Sequence, residues 1–393
     1  SKLIISVNGN EEEIALTDSL TYNYTLTSDI LSSATNISCN NSAVPSIDGT
    51  SLKIDNVYGN TLCSVSEKLA DSIDNLDNNT MNYILMINDD IISERKTIKN
   101  NTIFNINGKE IIVDEIVGVT SNVEVYDTLK SGKMIVRNGG SAFNMGGEAN
   151  LYIDYVNIAH DYDNSETNKN GIWLSSGCTG CNLEIKDANI DVGNVAVGLH
   201  YNSKNSSVNI KNGVLSTKRY AIENNGSESN IINIENGNFF GTLSSVSNSG
   251  NGIVNIHGGT FKTNHFAIKN MSGGVINIDD KNSKVYIASY DVNSSNIWTN
   301  KSVVNEKSGN IYINGSIAEK CGELENDTGI CIYNQNGRGV LNEATATGDI
   351  YINGAYILSV TNFAVENWIG KIYMCGGKIE SKINRYLDVR NVR

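Results

Sequence analysis

The side chains best suited to binding chemistry are three tyrosines that recur in one local pattern. Tyr312, Tyr351 and Tyr373 each lie at the centre of an apolar–variable–apolar triplet. The same central position is occupied in six earlier triplets by Tyr152, Glu184, Asn209, Asn233, Asn255 and Asn277. If the triplets are stacked strands, these side chains form a surface of amides and phenols, which suits the rings and hydroxyl groups of a glycan.

The alternative explanation of this row is structural. Like side chains stack well on parallel strands, and tyrosine has a high β propensity. Two tryptophans, Trp298 and Trp368, are further candidates for contacts with a glycan.

An acidic segment near residue 160 contains oxygen donors that suit a hard cation. Asp161, Asp163 and Glu166 are candidate ligands for Ca²⁺, the one cofactor that the sequence suggests. The segment lacks the glycine and the twelfth-position glutamate of an EF-hand loop. The alternative is a solvated acidic loop that binds no ion.

The sequence contains no recognisable catalytic constellation. A glycosidase needs two carboxylates held about 5–9.5 Å apart across a sugar. The pairs Asp89-Asp90 and Asp279-Asp280 are chain neighbours, so on a strand their side chains would diverge. None of the four histidines belongs to a Ser-His-Asp set or has metal-ligand spacing. We therefore expect a protein without enzymatic activity, with a polysaccharide-active lyase or hydrolase as the open alternative.

The seven cysteines suggest disulfides. Cys39 and Cys63 flank a turn-rich stretch, and a bond between them would stabilise the fold by roughly 3 kcal/mol in the chain-entropy model. Cys321 and Cys331 bracket an insertion that a disulfide would hold, and Cys375 is left over. Two or three disulfides favour an extracellular location.

Cys178 and Cys181 form a CxxC pair, which is compatible with a disulfide, a redox pair or half of a zinc site. A structural zinc site needs further ligands, and the sequence has no second CxxC. A thioredoxin-type role requires a βαβ context, which is also missing. A plain disulfide or two inert thiols are the favoured interpretations.

The spacing of the triplets predicts a solenoid. Their second apolar residues are Ile153, Ile185, Ile210, Ile234, Ile256, Ile278, Ile313, Ile352 and Met374. Four of the intervals (210–234, 234–256, 256–278 and 352–374) are 22 to 24 residues long. Self-similarity at this period is typical of a solenoid, and alternation within each triplet is typical of a strand.

A second signature, small–apolar–variable–Asn, follows several of the triplets about twelve residues later. It occurs at 221–224, 245–248, 267–270 and 364–367, with looser copies at 302–305 and 331–334. One asparagine per turn predicts a ladder of stacked amides at one corner. Because the units lack a 3.6-residue period, helical repeats are disfavoured. The sequence therefore predicts an all-β protein, a parallel β-helix with three short strands per turn.

Two segments resemble a known superfamily. The stretch 97–109 (TIKNNTIFNINGK) is similar to its opening coil, and the run 256–261 (IHGGTF) is similar to its internal repeats. From about residue 80 onwards the chain resembles the pectate-lyase-like right-handed parallel β-helix superfamily, and more narrowly the surface β-helix proteins of Gram-positive bacteria. The resemblance implies a right-handed solenoid, and for Cys39 and Cys63 a cysteine-bracketed β module.

The resemblance implies no single activity, because this superfamily includes lyases, hydrolases, phage tailspikes and non-enzymatic adhesins. Its hydrolases carry paired aspartates followed by Gly-His-Gly and Arg-x-Lys motifs, which are absent here. Its lyases use a basic residue opposite a carboxylate cluster that binds Ca²⁺. Lys218 and Arg219 have no such cluster nearby in the predicted stack.

Three regions are predicted along the chain. Short alternating runs in 1–72 predict a small β-sandwich-like N-terminal module. Residues 73–148 are assigned to a cap and irregular first coils, and 149–393 to the regular β-helix. Extra residues near 159–170, 281–300 and 318–329 are expected to project from one shared corner, which would mark a binding face.

Composition limits the partners. The net charge of −13, without a lysine or arginine cluster, argues against nucleic acid. No apolar run of 18 residues occurs, so we expect neither a membrane span nor a signal peptide in this sequence.

The combined prediction is an extracellular structural and adhesive protein on a cell surface or in a surface appendage such as a pilus-like fibre. The resemblance implies a Gram-positive source. Glycans, host surfaces or identical subunits are the expected partners. The apolar Leu3-Ile4-Ile5 motivates the hypothesis of self-assembly into a fibre. A phage tailspike-like receptor-binding protein is a further alternative.

Overall fold

The computed structural model describes most of the chain, and all regular structure within the described residues is β. These residues are 2–7, 10–15, 21–25, 36–39, 43–48, 51–57, 60–66, 82–86, 89–99, 101–114, 116–137, 140–161, 169–226, 229–290, 300–322, 328–382 and 389–391. They form two small N-terminal sheets and a parallel β-solenoid of about 11 turns.

The N-terminal part consists of two sheets. One has the strand order β2-β1-β7-β4 and contains β1 (Lys2–Val7), β2 (Asn10–Ala15), β4 (Asn36–Cys39) and β7 (Thr61–Ser66). The other has the order β3-β6-β5 and contains β3 (Tyr22–Thr25), β5 (Val44–Asp48) and β6 (Ser51–Asp55).

The two N-terminal sheets share one apolar core. Leu3 and Ile5 of β1 pack in one cluster with Leu52 and Ile54 of β6, and none is more than 1% exposed. Strand β1 pairs with β2 on one side and with β7 on the other. The apolar character of Leu3 and Ile5 is therefore explained by the core of this module.

The solenoid is built from three columns of parallel strands. Strands confined to the first column are β8 (Asn82–Leu85), β11 (Thr102–Asn105), β14 (Asn122–Tyr126), β21 (Ser207–Ile210), β24 (Ile231–Ile234), β27 (Ile253–Ile256), β30 (Val275–Ile278) and β33 (Asn310–Asn314). Strands confined to the second column are β9 (Asp90–Ile92), β12 (Glu110–Val113), β15 (Lys133–Val136), β22 (Val214–Thr217), β25 (Asn238–Gly241), β28 (Gly259–Thr263), β31 (Val285–Ser289) and β34 (Ile330–Asn334).

Four longer strands run through both of these columns. They are β17 (Asn150–His160), β19 (Asn182–Val192), β36 (Ile350–Ser359) and β38 (Ile372–Ser381). The third column contains β10 (Lys96–Ile98), β13 (Ile116–Val119), β16 (Ser141–Gly147), β18 (Asn170–Cys178), β20 (Val195–Leu199), β23 (Tyr220–Asn224), β26 (Ser244–Asn248), β29 (Phe266–Asn270), β32 (Lys301–Asn305), β35 (Arg338–Asn342), β37 (Val365–Asn367) and β39 (Val389–Asn391). The prediction of a β-helix with three strands per turn is confirmed.

The triplets supply the core of the solenoid. Ile234 pairs with Ile256, and Ile256 with Ile278, on consecutive strands of the first column. Each of the three is at most 1% exposed. Burying one such side chain contributes about 1.5–3 kcal/mol, so the repeated apolar positions are a main source of stability.

The predicted amide ladder is present inside the corner that follows the third column. Its members are Asn224, Asn248, Asn270, Asn305, Asn342 and Asn367. Asn248 accepts a hydrogen bond from Nδ2 of Asn224 (3.0 Å) and donates to Oδ1 of Asn270 (3.2 Å). Because these side chains are buried, apart from the half-buried Asn367, the ladder satisfies amides that would otherwise destabilise the interior.

The prediction that 331–334 is a looser copy of the ladder signature is wrong. Asn334 lies in the second column, where it pairs with Ser289 and Ser359. The ladder strand of that turn is β35, which ends at Asn342. The local sequence imitates the signature, but extra residues between β33 and β34 shift the true ladder strand further along the chain.

The three insertions do not share one corner. The segments after β17 and after β31 connect the second column to the third. The segment between β33 and β34, which contains the predicted insertion 318–329, connects the first column to the second. The prediction of a single corner is wrong for this insertion, because it depended on assigning 331–334 to the ladder.

Three disulfides are present, and all three candidate pairs form. Cys39 bonds Cys63 between neighbouring strands β4 and β7. Cys178 bonds Cys181, which decides among the interpretations of the CxxC pair. Cys375 is free and exposed.

The third disulfide, Cys321–Cys331, secures the insertion between β33 and β34. Ala318 of this insertion packs with Tyr286 and Tyr333, which lie in the second column. These two tyrosines are at most 1% exposed. The disulfide therefore holds in place a segment that covers an apolar patch on the second column.

Candidate functional site

The central triplet residues form one continuous row on the outside of the first column. We call this row the outer stripe; its members are Tyr152, Glu184, Asn209, Asn233, Asn255, Asn277, Tyr312, Tyr351 and Tyr373. Each member pairs in parallel register with the next. The strand pattern explains this geometry, because residues that alternate with buried isoleucines must face outward.

The asparagines of the outer stripe form a second, half-buried amide ladder. Nδ2 of Asn233 donates to Oδ1 of Asn209 at 2.7 Å, and Nδ2 of Asn255 donates to Oδ1 of Asn233 at 2.8 Å. Asn277 continues the ladder to Asn255 at 2.8 Å. An amide has two N–H donors and two acceptor lone pairs, so each residue retains hydrogen-bonding capacity beyond the ladder.

The three tyrosine rings are stacked on one another along the solenoid axis. The ring centroids of Tyr312 and Tyr351 are 4.8 Å apart with an interplanar angle of 8°. Tyr351 and Tyr373 have the same separation with an angle of 9°. The faces of neighbouring rings therefore pack against each other. A sugar has no room between Tyr351 and either of its neighbours. Within the predicted surface of amides and phenols, a sugar ring therefore has no access to the faces of Tyr351.

Ring edges and hydroxyl groups are what this stack presents. Nδ2 of Asn310 donates to the hydroxyl of Tyr312 at 3.4 Å, and the hydroxyl of Tyr351 donates to Asp349 at 3.4 Å. Local burial, followed by the Asp349 carboxylate, raises the pKa of Tyr351. The phenol of Tyr351 therefore remains protonated and can act as a hydrogen-bond donor.

A groove of about 410 Å³ continues the face towards its N-terminal end. Glu124, Tyr152 and Glu184 lie in register along it on consecutive strands. Sequence reasoning missed Glu124, although Val123 and Val125 flank it as an apolar–variable–apolar triplet. Desolvation, together with the Asp154 carboxylate, raises the pKa of Glu124.

A row of asparagines borders this groove. Its members are Asn101, Asn122, Asn150 and Asn182. Nδ2 of Asn122 donates to Oδ1 of Asn101 at 3.0 Å, and Nδ2 of Asn150 donates to Oδ1 of Asn122 at 2.6 Å. The first column thus offers amides, carboxylates and phenols along most of its length.

The other predicted site residues are separate from the outer stripe. Trp368 follows β37, at the corner beyond the third column, and its backbone N–H donates to the carbonyl of Asn342 at 2.9 Å. Trp298 lies outside the described residues.

Of the predicted Ca²⁺ ligands, Asp161 is at the end of the described range 140–161, and Asp163 and Glu166 lie outside the described residues. Within the part of the chain that is described, no group of three or more histidine, cysteine, aspartate or glutamate residues is placed to hold a metal ion. The same part of the chain contains no helix with the length and apolarity needed to cross a membrane.

Comparisons with known proteins gave no match to a family model, to a curated protein or to a solved structure.

Proposed function

We propose that this protein is an extracellular structural and adhesive protein, located on a cell surface or in a surface appendage, that presents the outer stripe to glycans. Three disulfides support an oxidising location. The long parallel solenoid supports a structural role, because each turn contacts only its neighbours and the stack forms an extended surface.

The observation that carries the proposal is the register of the outer stripe. Tyr312, Tyr351 and Tyr373 follow the amide ladder on consecutive strands, with rings repeating every 4.8 Å. This repeat is close to the length of one hexose in an extended chain. A glycan lying along the axis therefore meets a hydroxyl or an amide at each sugar, where hydrogen bonds fix its position.

The test is binding to a glycan array by the wild type and by a triple variant carrying Tyr312→Phe, Tyr351→Phe and Tyr373→Phe. The variant keeps the ring stack and removes the hydroxyl groups, so a loss of binding reports on recognition and not on folding. Phe240→Ala is the matched control, because Phe240 is 37% exposed and belongs to the second column. Unchanged binding by the triple variant would dismiss the outer stripe as the site.

The groove favours a second candidate function, a polysaccharide-active enzyme. Glu124 and Glu184 are separated by one strand, so their backbones are about 9.6 Å apart. This spacing is near the upper end of the carboxylate separation in inverting glycosidases. Release of reducing sugars from polysaccharides, abolished by Glu124→Gln or Glu184→Gln, would replace the adhesive proposal by this one.

A further inference from the structure

An aromatic corner lies on the outer side of the third column, away from the outer stripe. The rings of Trp173 and His200 have centroids 6.5 Å apart and planes at 83°. The ring centroids of Tyr201 and His200 are 4.0 Å apart, and the angle between the ring planes is 34°. Tyr201 is 67% exposed. Unlike the stacked tyrosines, these rings meet edge to face or at a tilt, which leaves ring surface uncovered.

The position of the indole depends on a glycine. Trp173 pairs with Gly198 on the adjacent strand of the third column. A Cβ atom at Gly198 would lie 2.2 Å from Cζ3 of Trp173, so any side chain there would displace the ring. The glycine has no left-handed φ, and its backbone conformation therefore does not require a glycine. Its role is to leave free the space that the indole occupies.

Polar groups border the same corner. Nδ1 of His200 accepts a hydrogen bond from the backbone N–H of Asn202 at 3.1 Å, which places the ring proton of a neutral imidazole on Nε2. Glu223 follows Gly198 in register on the next strand. Burial raises the pKa of Glu223, although its hydrogen bond with Asn225 acts in the opposite direction. The corner thus combines apolar ring surface with a donor and a carboxyl group.

The aromatic corner consists of three rings, and this small apolar area favours a small ligand. Asn202 and Lys204, which follow Tyr201 along the chain, are polar and exposed. A stable protein interface needs about 800 Å² on each partner, with a buried apolar centre. Three rings with a polar border fit a sugar residue, whose C–H face packs on an aromatic ring while its hydroxyl groups take hydrogen bonds.

We propose that Trp173, His200 and Tyr201 form a second glycan-binding site, whose ligand is a pyranose sugar. Tyr201 and Trp173 supply the apolar contact, and Nε2 of His200 and the carboxyl of Glu223 supply hydrogen bonds. Gly198 acts as a positioning residue for the indole. The site is independent of the outer stripe, because it lies on a different column.

Tryptophan fluorescence tests the site, with soluble oligosaccharides of glucose, galactose and N-acetylglucosamine as probes. We expect one of these probes to change the emission of the wild type in a saturable manner, and this change to be lost in Trp173→Phe. Tyr201→Ala and Gly198→Ala should each weaken binding by about tenfold or more. Gly177→Ala is the matched control, because its Cβ would lie no closer than 3.9 Å to any neighbour.

Two results would overturn the proposal. One is the absence of any emission change with every probe up to roughly 10 mM. The other is wild-type affinity in both Tyr201→Ala and Gly198→Ala. The triple phenylalanine variant of the outer stripe should retain this binding, so failure of the second site and failure of the proposed function are distinguishable.

Discussion

The ring of Tyr351 lies parallel to that of Tyr312, with 4.8 Å between the centroids and 8° between the planes. Tyr373 covers the other face of Tyr351 in the same way. This stack determines what the C-terminal end of the outer stripe can offer to a ligand, because ring edges and hydroxyl groups are what the three stacked tyrosines present. The same contacts connect successive turns and therefore contribute to stability.

The stacking energy can be measured by a double-mutant cycle. Tyr312→Ala and Tyr351→Ala each remove one partner of the same contact, so their effects on the free energy of unfolding should not be additive. We expect a coupling energy of about 0.5–1.5 kcal/mol, as found for aromatic pairs. Chemical denaturation of the two single variants and the double variant gives this value. A coupling energy near zero would contradict an energetic role for the stack.

The two amide ladders should differ in their importance for stability. Asn248 is buried and donates to Oδ1 of Asn270 and to the carbonyl of Gly252. Asn248→Ala removes the ladder donor to Oδ1 of Asn270 and the ladder acceptor for Nδ2 of Asn224, which should cost about 1–3 kcal/mol. Asn233→Ala in the half-buried outer ladder is the matched control, since solvent can replace the lost partner. Denaturation midpoints that fall equally in the two variants would refute this difference.

The His257–Asp279 pair predicts a pH dependence of stability. Nδ1 of His257 and Oδ1 of Asp279 are 2.8 Å apart. Burial raises the pKa of Asp279, but its hydrogen bonds with His257 and Lys281 outweigh burial, so the pKa lies below the ordinary value. A carboxyl whose pKa is lowered by folding stabilises the fold above its unfolded pKa, and this contribution is lost as pH falls through the lowered value.

Asp279→Asn removes this contribution. We expect the variant to be less stable than the wild type above about pH 4, and the difference to shrink as the pH is lowered further. Urea denaturation at several pH values provides the measurement. A difference that stays constant down to about pH 2 would show that the carboxylate does not make this contribution.

The cysteine pairing predicts one reactive thiol. Six of the seven cysteines are in disulfides, and the seventh, Cys375, is exposed. Alkylation of the native protein without reductant should therefore add one group, and peptide mass mapping should place it at Cys375. Two or more adducts would mean that a disulfide is open in the native protein, which would weaken the argument for an oxidising location.

Sequence reasoning predicted the repeating architecture because the periodic signal is strong. Residues such as Ile256 and Asn248 recur in the same local context on every regular turn, so stacking follows from spacing alone. Where an insertion interrupts the period, the local signature is misleading. Asn334 was assigned to the wrong column for this reason, and with it the corner of one insertion.

The candidate sites were predictable only in part. The order of residues along the outer stripe followed from the triplets, but the orientation of the Tyr351 ring depends on side-chain packing that the pattern does not encode. The aromatic corner was missed because Trp173 lies outside the triplets. Its contact with Gly198 joins residues 25 positions apart, and neither residue is unusual in its own local sequence.

The most direct test of the proposed function is a crystal structure of the protein with the oligosaccharide that binds it most tightly on the array. We predict a sugar chain along the first column, with hydrogen bonds to the hydroxyl groups of Tyr312 and Tyr351. A sugar that lies only in the groove beside Glu124, or an outer stripe that stays empty at saturating ligand, would contradict the account.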